Sequence, residues 1–273
     1  METATLSENL QVENEDDEGE RYIVPGLMRG LNILKIFSTD RQEVGAAEIA
    51  RELGISRSTV FRLVYTLENM GFLQRAEHSK KYRLGLKVLD LGFRFLSGMD
   101  IVDLARPHLQ DLSDETQTSA HLVVRDGSDV VYVVRIAAKN VMGSTIGVGT
   151  RFPAHATTSG RVMLSGLSIS EIATLYEGRS LQTYTDQTPT SLGSLINELE
   201  NDRKNGYVFG WGTFEKNISS IAVPVRDNSQ KIVASINISC SSGSHSQEEL
   251  MEKVLPAVQA KASIISAALG YRN

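Results

Sequence analysis

The stretch from residue 46 to residue 85 constrains the fold of this chain more than any other. Ile49 and Leu53 place apolar side chains one helical turn apart, and Gly54 permits the left-handed backbone step that ends a helix. Ser56 then stands where a second helix needs an N-cap. Two short helices around so tight a turn are typical of a helix-turn-helix, whose second helix enters the major groove of DNA.

The second helix of this motif has two faces of different chemistry. Its apolar residues recur at the helical period and form one stripe: Val60, Leu63, Val64 and Leu67. The N-terminus and the opposite face carry groups that can bond to base edges and phosphates. We therefore predict DNA contacts by Ser56, Arg57, Ser58, Thr59, Arg62 and Tyr65. The alternative for these residues is an ordinary exposed helix face.

A short basic hairpin follows the helix-turn-helix. Residues 73–76 and 80–84 read as two strands around a polar turn at residues 77–79, and the hairpin carries Lys80, Lys81 and Arg83. An isolated run of this kind is usually a solvated charge cluster. Directly behind a helix-turn-helix, the same cations are placed to contact phosphates and release counterions from the duplex. We interpret the hairpin as the wing of a winged helix-turn-helix.

Charge is distributed unevenly along the chain. The net charge is -5, but residues 1–20 hold eight acidic residues and no basic one, whereas residues 21–85 hold eleven basic and six acidic residues. The overall acidic balance does not exclude nucleic acid, because a phosphate backbone responds to the local field. Residues 1–22 have few large apolar groups and are predicted to be a disordered acidic tail. Such a tail either improves solubility or modulates DNA affinity.

Several classes of protein are disfavoured by what the sequence lacks. No run approaches the ~18 apolar residues that span a bilayer, and no apolar signal segment stands at the N-terminus, so we expect a cytoplasmic protein without a membrane partner. Cys240 is the single cysteine and is expected to be a small buried residue on a strand. The five histidines have no metal-ligand spacing, and no phosphate-binding loop or nucleophile elbow is present. We expect no metal, no cofactor and no enzymatic activity.

Helices surround the DNA-reading stretch. Residues 25–37 have a helical period and supply the first helix of the DNA module. Residues 86–98 form a predicted linker helix that is apolar on more than one side, so it packs either on its own domain or on a second copy of the chain. An amphipathic helix is predicted over residues 100–118, with Pro107 expected to kink or divide it.

The rest of the chain mixes strands and helices. A hairpin is predicted around Asp126-Gly127, and the short helix predicted over residues 157–164 would offer a carboxylate the free amides of its first turn. Capping boxes begin at Ser168 and Ser246. Further strands are expected near residues 144–148, 207–211, 220–226 and 231–239, and a further helix over residues 191–203. Helices flanking a mainly antiparallel sheet predict an α+β sensor domain.

Several strings together resemble the IclR-type bacterial transcription regulators. They are AAEIARELGISRSTVFRLVYTLENMGFL and YRLGLKVLDLG in the first part, and GTRFPAHATTSGRVML, RKNGY and SIAVPVRD with IVASINIS in the second. Within that family the chain looks most like the PcaR/PobR branch, which controls protocatechuate, hydroxybenzoate and β-ketoadipate catabolism. The resemblance extends from about residue 25 to the C-terminus.

The resemblance implies a three-part, α+β regulator behind the acidic tail. It has a winged helix-turn-helix over residues 23–85, a linker helix over residues 86–98 and a GAF-like effector-binding domain over residues 99–273. Its expected partners are a double-stranded DNA operator, a small organic acid effector and further copies of itself in a dimer or tetramer. The alternatives are a regulator of another pathway with a different effector or none, a DNA-anchored enzyme, and a winged helix used only for protein contacts.

The resemblance also implies where the effector binds. Its pocket is formed by the start of the short helix at Thr158, Ser159 and Gly160, and by strand residues Ser220, Asn237 and Ser239. The chain departs from the family pattern close by, with Gly210 at a usually acidic or amide position, Gly212 and Thr213 replacing acids, and Asn217 replacing a glycine. We expect these departures to enlarge or reshape the pocket. The alternative for the three strand residues is a routine polar strand face.

Overall fold

The computed structural model describes residues 22–77, 79–138 and 146–272. The predicted acidic tail lies outside the described residues except for Tyr22, and so does His78 in the predicted wing turn. The chain divides into two compact units, the first ending at Phe95 and the second beginning at Leu96. Among the described residues, no helix combines the length and apolar character that crossing a membrane requires.

The first unit is a winged helix-turn-helix. Its three antiparallel strands are ordered β1-β3-β2. The helices and strands are α1 (Pro25–Lys35), β1 (Val44–Gly45), α2 (Ala46–Leu53), α3 (Arg57–Asn69), β2 (Leu73–Arg75) and β3 (Lys81–Leu84), and α4 (Lys87–Ser97) begins in this unit and ends two residues past its last residue. Strand β1 was not predicted, because two residues are too short for any period to show. It adds to the wing by pairing Val44 with Tyr82.

The turn of the helix-turn-helix is confirmed in detail. Gly54 ends α2 with φ 63°, the left-handed conformation that favours glycine. Ser56 caps α3, accepting a hydrogen bond from the amide of Thr59 at 3.2 Å. Both α2 and α3 therefore end and begin where the sequence predicted, because local backbone chemistry alone decides these positions.

The core of the first unit uses only part of the apolar surface available. Its fully buried side chains include Ile33, Ile49, Val60, Val64 and Leu73. The predicted helix α1 is present, but Ile33 is its single large side chain that is buried among the described residues. Leu27 and Leu31 remain 63% and 51% exposed. The helical period of residues 25–37 predicted the helix α1 but did not predict which of its apolar residues face the core.

The second unit is an α+β domain built on a six-stranded antiparallel sheet, ordered β6-β5-β4-β9-β8-β7. Its strands are β4 (Ser119–Asp126), β5 (Asp129–Ile136), β6 (Arg151–Pro153), β7 (Val208–Trp211), β8 (Ile218–Arg226) and β9 (Ile232–Ser241). Its helices are α5 (Asp100–Thr116), α6 (Thr158–Ser165), α7 (Ile169–Leu175), α8 (Leu192–Asn205), α9 (Gln247–Glu249) and α10 (Leu255–Ala268), with a 3-10 turn at Ala154–Ala156 and a π-helical segment at Leu250–Val254.

Each face of this sheet carries its own core. On one face, α5 and α10 pack against alternate residues of β8 and β9, such as Ile221 and Ile236. On the other, α6, α7 and α8 cover Tyr132 and Val123. Because side chains alternate along a strand, the residues between those of the first core point toward α6. That second face is where the predicted effector residues lie.

Three expectations about elements of this unit need correction or completion. The strand predicted at residues 144–148 is absent from its described part, residues 146–148, and the edge strand is β6, which pairs with Asp129–Val131. Pro107 does not divide α5, which runs on to Thr116. The capping box at Ser246 is confirmed, but the helix it begins passes through the π-helical segment before α10.

A buried ion pair joins α6 to α8. Arg161 donates from Nε and Nη2 to the two carboxylate oxygens of Asp202 at 2.8 and 2.6 Å, and from Nη2 to Glu198 at 2.7 Å. Burial raises the pKa of Asp202, while the guanidinium opposes that shift. Removal of either buried partner would leave an uncompensated charge, so the pair holds α6 in one position.

Candidate DNA interface and effector site

The start of α3 is a compact cluster of hydroxyl groups. The Ser56 Oγ lies 2.9 Å from both the Ser58 Oγ and the Thr59 Oγ1, besides capping the helix. Arg57, Arg62 and the hydroxyl cluster lie at or beside the exposed face of α3, opposite the buried Val60 and Val64. The structure therefore places the predicted DNA-contacting side chains of this helix together on one surface.

The predicted DNA-contacting cations differ in their ion pairing from Arg41 and Arg75 of the same unit. Arg41 pairs with Glu48 and Glu52, and Arg75 pairs with Glu68. Among the described residues, no ion pair involves the exposed Arg57, Arg62, Lys80, Lys81 or Arg83. Unpaired cations on the recognition helix and the wing are free to meet phosphates.

Phe61, an exposed aromatic residue on α3, was missing from the predicted interface, which did include its neighbour Tyr65. Phe61 is 60% exposed and stacks on Tyr65, with ring centroids 6.4 Å apart and planes inclined by 22°. At 100° per residue, Phe61 lies between Arg57 and Ser58 on the polar face. This angular position could have identified Phe61 as an interface residue from the sequence. Phe61 was left out of the prediction because its side chain is apolar.

The predicted effector residues of the strands meet the start of α6. Thr158, the first residue of α6, lies with its Oγ1 3.0 Å from the Ser220 Oγ. It also accepts a hydrogen bond from the Asn237 Nδ2 at 3.1 Å. Ser239 lies opposite Ser220 across the β8–β9 ladder. Four residues from three separate elements thus form one polar site.

The polar groups in the first turn of α6 are only partly hydrogen-bonded among the described residues. Thr157 accepts the Gly160 amide at 3.2 Å, so that amide is already satisfied. A Cβ on Gly160 would stand 2.1 Å from the Ala154 carbonyl oxygen, so glycine lets α6 pack against the preceding turn. The Ser159 hydroxyl is buried and has no hydrogen-bond partner among the described residues. Within the described part of the chain, Ser159 is therefore a buried polar group without a partner in the first turn of α6.

His121 belongs to this site although the sequence did not identify it. Its Nδ1 lies 3.1 Å from the Asn237 Oδ1, while its Nε2 is buried with no partner among the described residues. The pKa of His121 is lowered to about 4, chiefly by desolvation and also by the charge of Arg135, while the hydrogen bond to Asn237 acts in the opposite direction. The imidazole is therefore neutral at neutral pH.

Aromatic rings extend from His121 along the same side of the sheet. Tyr132 meets the imidazole edge-on at 5.3 Å between centroids, and Phe152 meets Tyr132 at 5.6 Å. Phe214 then lies 4.8 Å from Phe152 and 4.6 Å from Tyr184. Only the registers between β4 and β5 and between β5 and β6, together with the fold of the loops, bring these side chains together, so no local pattern could identify them.

Gly210 does not enlarge the site at its own position, contrary to one expectation from the sequence. It pairs with Ser220 across the β7–β8 ladder. A Cβ there would lie 2.6 Å from the Thr158 Cγ2 and 2.7 Å from the Thr213 Oγ1. These two threonines fill the space that a longer side chain would need, so the departure reshapes the pocket wall.

A separate surface cleft of about 410 Å³ lies beside the turn that precedes α6. His155, Tyr176, Arg179 and Tyr184 are among the residues that line it, and none of its described lining residues is a predicted effector contact. The network of Thr158, Ser220 and Asn237 is thus a distinct feature from this cleft.

We predict that His121 makes the stability of the second unit depend on pH. The pKa of His121 is about 4 in the folded chain and 6.5 for an ordinary, solvent-exposed histidine. Between these two pH values, the unfolded chain therefore binds a proton at His121 that the folded chain does not bind. The associated stability is complete above pH 6.5 and declines as the pH falls toward 4, by about 3 kcal/mol. Urea unfolding followed by fluorescence of Trp211, the only tryptophan, measures it.

The matched variant for this measurement is His121→Phe. Its unfolding free energy should vary less between pH 6.5 and 4 than that of the unmodified protein, because phenylalanine binds no proton in either the folded or the unfolded state. Parallel curves for the two proteins would contradict the assignment.

Two family models match most of the chain. The IclR helix-turn-helix domain matches residues 26–77, and the C-terminal domain of bacterial transcriptional regulator IclR matches residues 93–267. The first match contains α2 and α3, and the second contains the sheet with the predicted effector residues.

Characterised proteins match over nearly their whole length. The HTH-type transcriptional regulator XynR of Escherichia coli K12 is 30% identical over 91% of this chain and 98% of its own. The p-hydroxybenzoate hydroxylase transcriptional activator of Acinetobacter baylyi is 30% identical over 90% and 92%. Among solved structures, a Rhodococcus sp. RHA1 protein is 31% identical with a TM-score of 0.80, covering 91% of this chain and 99% of that one.

Proposed function

Because the chain belongs to the IclR family of bacterial transcription regulators, we propose that a small organic acid bound beside Thr158 and Ser220 controls its affinity for an operator. The chain is a DNA-binding transcription regulator and not an enzyme, as its family and relatives are. The observation that carries the proposal is the buried polar site at the start of α6, which has unused donors and lies in the domain of the second match.

The DNA contacts we propose use the two parts of the first unit differently. Arg57, Ser58, Thr59 and Arg62 at the start of α3 read base edges or neighbouring phosphates, with Ser56 holding the helix end and Tyr65 lying one turn further on. Phe61 is placed for apolar contact with a thymine methyl group. Lys80, Lys81 and Arg83 of the wing contact phosphates, because they are exposed cations and have no ion-pair partner among the described residues.

The effector we propose is an acid of aromatic or β-ketoadipate catabolism. The first amides of α6 and the Ser159 hydroxyl supply hydrogen-bond donors for a carboxylate. The ring of Tyr132 lies against His121 and the ring of Phe152 lies against Tyr132, and the two rings provide the apolar surface that an aromatic acid needs. Two relatives that are each 30% identical to this chain have different names, so sequence identity does not select the pathway. Our assignment of the pathway therefore depends on the chemistry of the site.

We also propose that the regulator works as a homodimer or tetramer. Helix α4 buries none of its residues in the chain, and Leu89, Phe93 and Phe95 are each more than 60% exposed. Leu27 and Leu31 of α1 expose further apolar surface. Apolar surface on this scale marks an interface, and a second copy also places a second α3 on a neighbouring half-site.

The whole proposal is tested by fluorescence anisotropy against DNA upstream of the chain's own gene and its neighbours. Protocatechuate, 4-hydroxybenzoate and β-ketoadipate are added in turn. We expect specific binding that one of these acids changes by roughly 5- to 150-fold. Specific binding that ignores all three would reject the aromatic-acid effector, and no specific binding would reject the operator.

Two substitutions separate base reading from phosphate contact. Arg62→Ala should cost about 1–3 kcal/mol on the operator if Arg62 reads a base, and less on unrelated DNA. Lys81→Ala should weaken both DNAs about equally and lower the salt dependence of binding by about one charge. Equal losses on both DNAs for Arg62→Ala would show that this residue does not specify sequence.

The dimer is tested by sedimentation equilibrium of Phe93→Glu. A charge in the exposed apolar surface of α4 should shift the chain toward the monomer and weaken operator binding, because an unpaired charge cannot be buried at an interface. Arg94→Glu, on the same helix outside the apolar set, is the matched control and should keep the assembly. An unchanged mass for Phe93→Glu would contradict the role of α4.

A further inference from the structure

Five exposed cations of the first unit form a surface without ion pairs among the described residues. Three acids of this unit pair with other cations: Glu48 and Glu52 with Arg41, and Glu68 with Arg75. Within the described residues, no ion pair therefore compensates the charge on the recognition helix α3 and the wing. We call this set the cationic surface: Arg57, Arg62, Lys80, Lys81 and Arg83.

The acidic tail carries the opposite charge in excess. Residues 1–20 hold eight acidic residues and no basic one, and five of the eight acids fall within residues 15–20. When these eight charges are taken from the net charge of -5, the rest of the chain has a net charge of +3. The tail therefore has enough negative charge to pair with every cation of the cationic surface.

The acidic tail is attached to the unit that has the cationic surface. Its last acid, Glu20, stands five residues before Pro25, where α1 begins. The described residues between them, 22–24, are exposed, so the chain enters α1 from the surface of the unit. Helix α1 shares one core with α3, because Ile33 and Val64 lie in the same apolar cluster.

The length of the tail allows it to reach the cationic surface. An extended chain spans about 3.3 Å per residue, so residues 1–20 can reach as far as about 65 Å. A compact unit of the size of residues 22–85 has a radius of gyration of about 11 Å. Attachment to the same chain also gives such a segment a local concentration on the order of millimolar. Contacts that are weak one by one are then sufficient for binding.

We infer that the acidic tail binds the cationic surface of its own chain and that DNA must displace it. Carboxylates and phosphates both pair with Lys and Arg, so one anion excludes the other from the same cations. Because the tail has to leave before any DNA binds, it weakens binding to the operator and to unrelated DNA by the same factor. This inference rests on the DNA contacts of the proposed function and adds a regulation of that surface.

Deletion of residues 2–20 tests the competition. In fluorescence anisotropy at about 50 mM salt, the deletion variant should bind the operator and an unrelated duplex about threefold or more tightly than the full chain, by the same factor for both. At about 300 mM salt the gain should nearly vanish, because salt screens contacts between exposed charges. A full-length variant with all eight acids replaced by their amides is the matched control for chain length and should behave like the deletion. Equal affinities of the three proteins at the lower salt would reject the inference.

Repulsion between the tail and DNA could also weaken binding without any contact to the cationic surface. The double variant Lys80→Gln and Lys81→Gln separates the two effects, because it removes two partners of the tail. Deletion of residues 2–20 should gain less affinity in this background than in the unmodified chain, since both changes act on one contact. The matched background is Arg29→Gln with Lys35→Gln, two exposed cations of α1, and it should keep the full gain. The same gain in all three backgrounds would indicate repulsion alone and overturn the inference.

A measurement on the unmodified chain detects the contact directly. A carbodiimide joins a carboxylate to a lysine amine without a spacer, so it links only groups that meet. Trypsin releases residues 1–21 as one peptide, because no basic residue precedes Arg21. Mass spectrometry should find this peptide joined to Lys80 or Lys81 more often than to the exposed Lys35, and an excess of duplex DNA should remove the link. The absence of this link, or its persistence with DNA bound, contradicts the inference.

An equal mixture of isotopically heavy and light chains shows whether the contact forms within one chain. The linked peptides should both be heavy or both be light. Links that join a heavy peptide to a light one at the statistical frequency would overturn the contact within one chain.

These outcomes separate the inference from the proposed function. If neither the full chain nor the deletion variant binds the operator or the unrelated duplex, the proposed DNA contacts fail and the inference fails with them. If both proteins bind DNA with equal affinity, only the inference fails.

Discussion

The close approach of α6 to the sheet is the constraint on which the second unit depends. Gly160 brings α6 against the turn before it, because any Cβ there would overlap the Ala154 carbonyl. Gly210 leaves room for Thr158 at the sheet surface. The buried pair of Arg161 and Asp202 then holds the helix from its other side. Without these contacts the start of α6 would not reach the polar residues of β8 and β9.

This approach creates a site whose polar groups are only partly satisfied. Asn237 bonds to Thr158 and to His121, while Ser159 and Arg135 keep buried donor atoms without partners among the described residues. A folded protein normally pairs such groups, so their presence under one helix favours a ligand-binding role. Under the proposed function, a bound acid that satisfies these groups would recover the free energy that leaving them unpaired costs.

The first unit follows a different logic, since its function lies on its surface. Its core is small, and its recognition helix keeps Arg57 and Arg62 exposed and free of ion pairs within the described residues. The apolar side chains of α4 remain outside that core. A small winged domain of this kind depends on partners for both tasks: DNA for its cations and, as we propose, a second copy for its apolar helix.

The sequence by itself determined the helix-turn-helix, the ends of its helices and the α+β class of the second unit. Gly54 and Ser56 act on the backbone within one turn, and helical or alternating periods act within one element, so no distant residue is needed. Family resemblance placed Thr158, Ser220 and Asn237 in one site, and the structure brings them within hydrogen-bond distance.

Tertiary structure alone decided what those residues meet. The register that sets His121 beside Asn237 joins positions 116 residues apart, and a shift of one residue would turn His121 to the other face. The filling of the space at Gly210 and the choice of Ile33 over Leu31 as a core residue are likewise properties of packing. Local patterns fix backbone geometry, whereas burial and long-range register depend on every element at once.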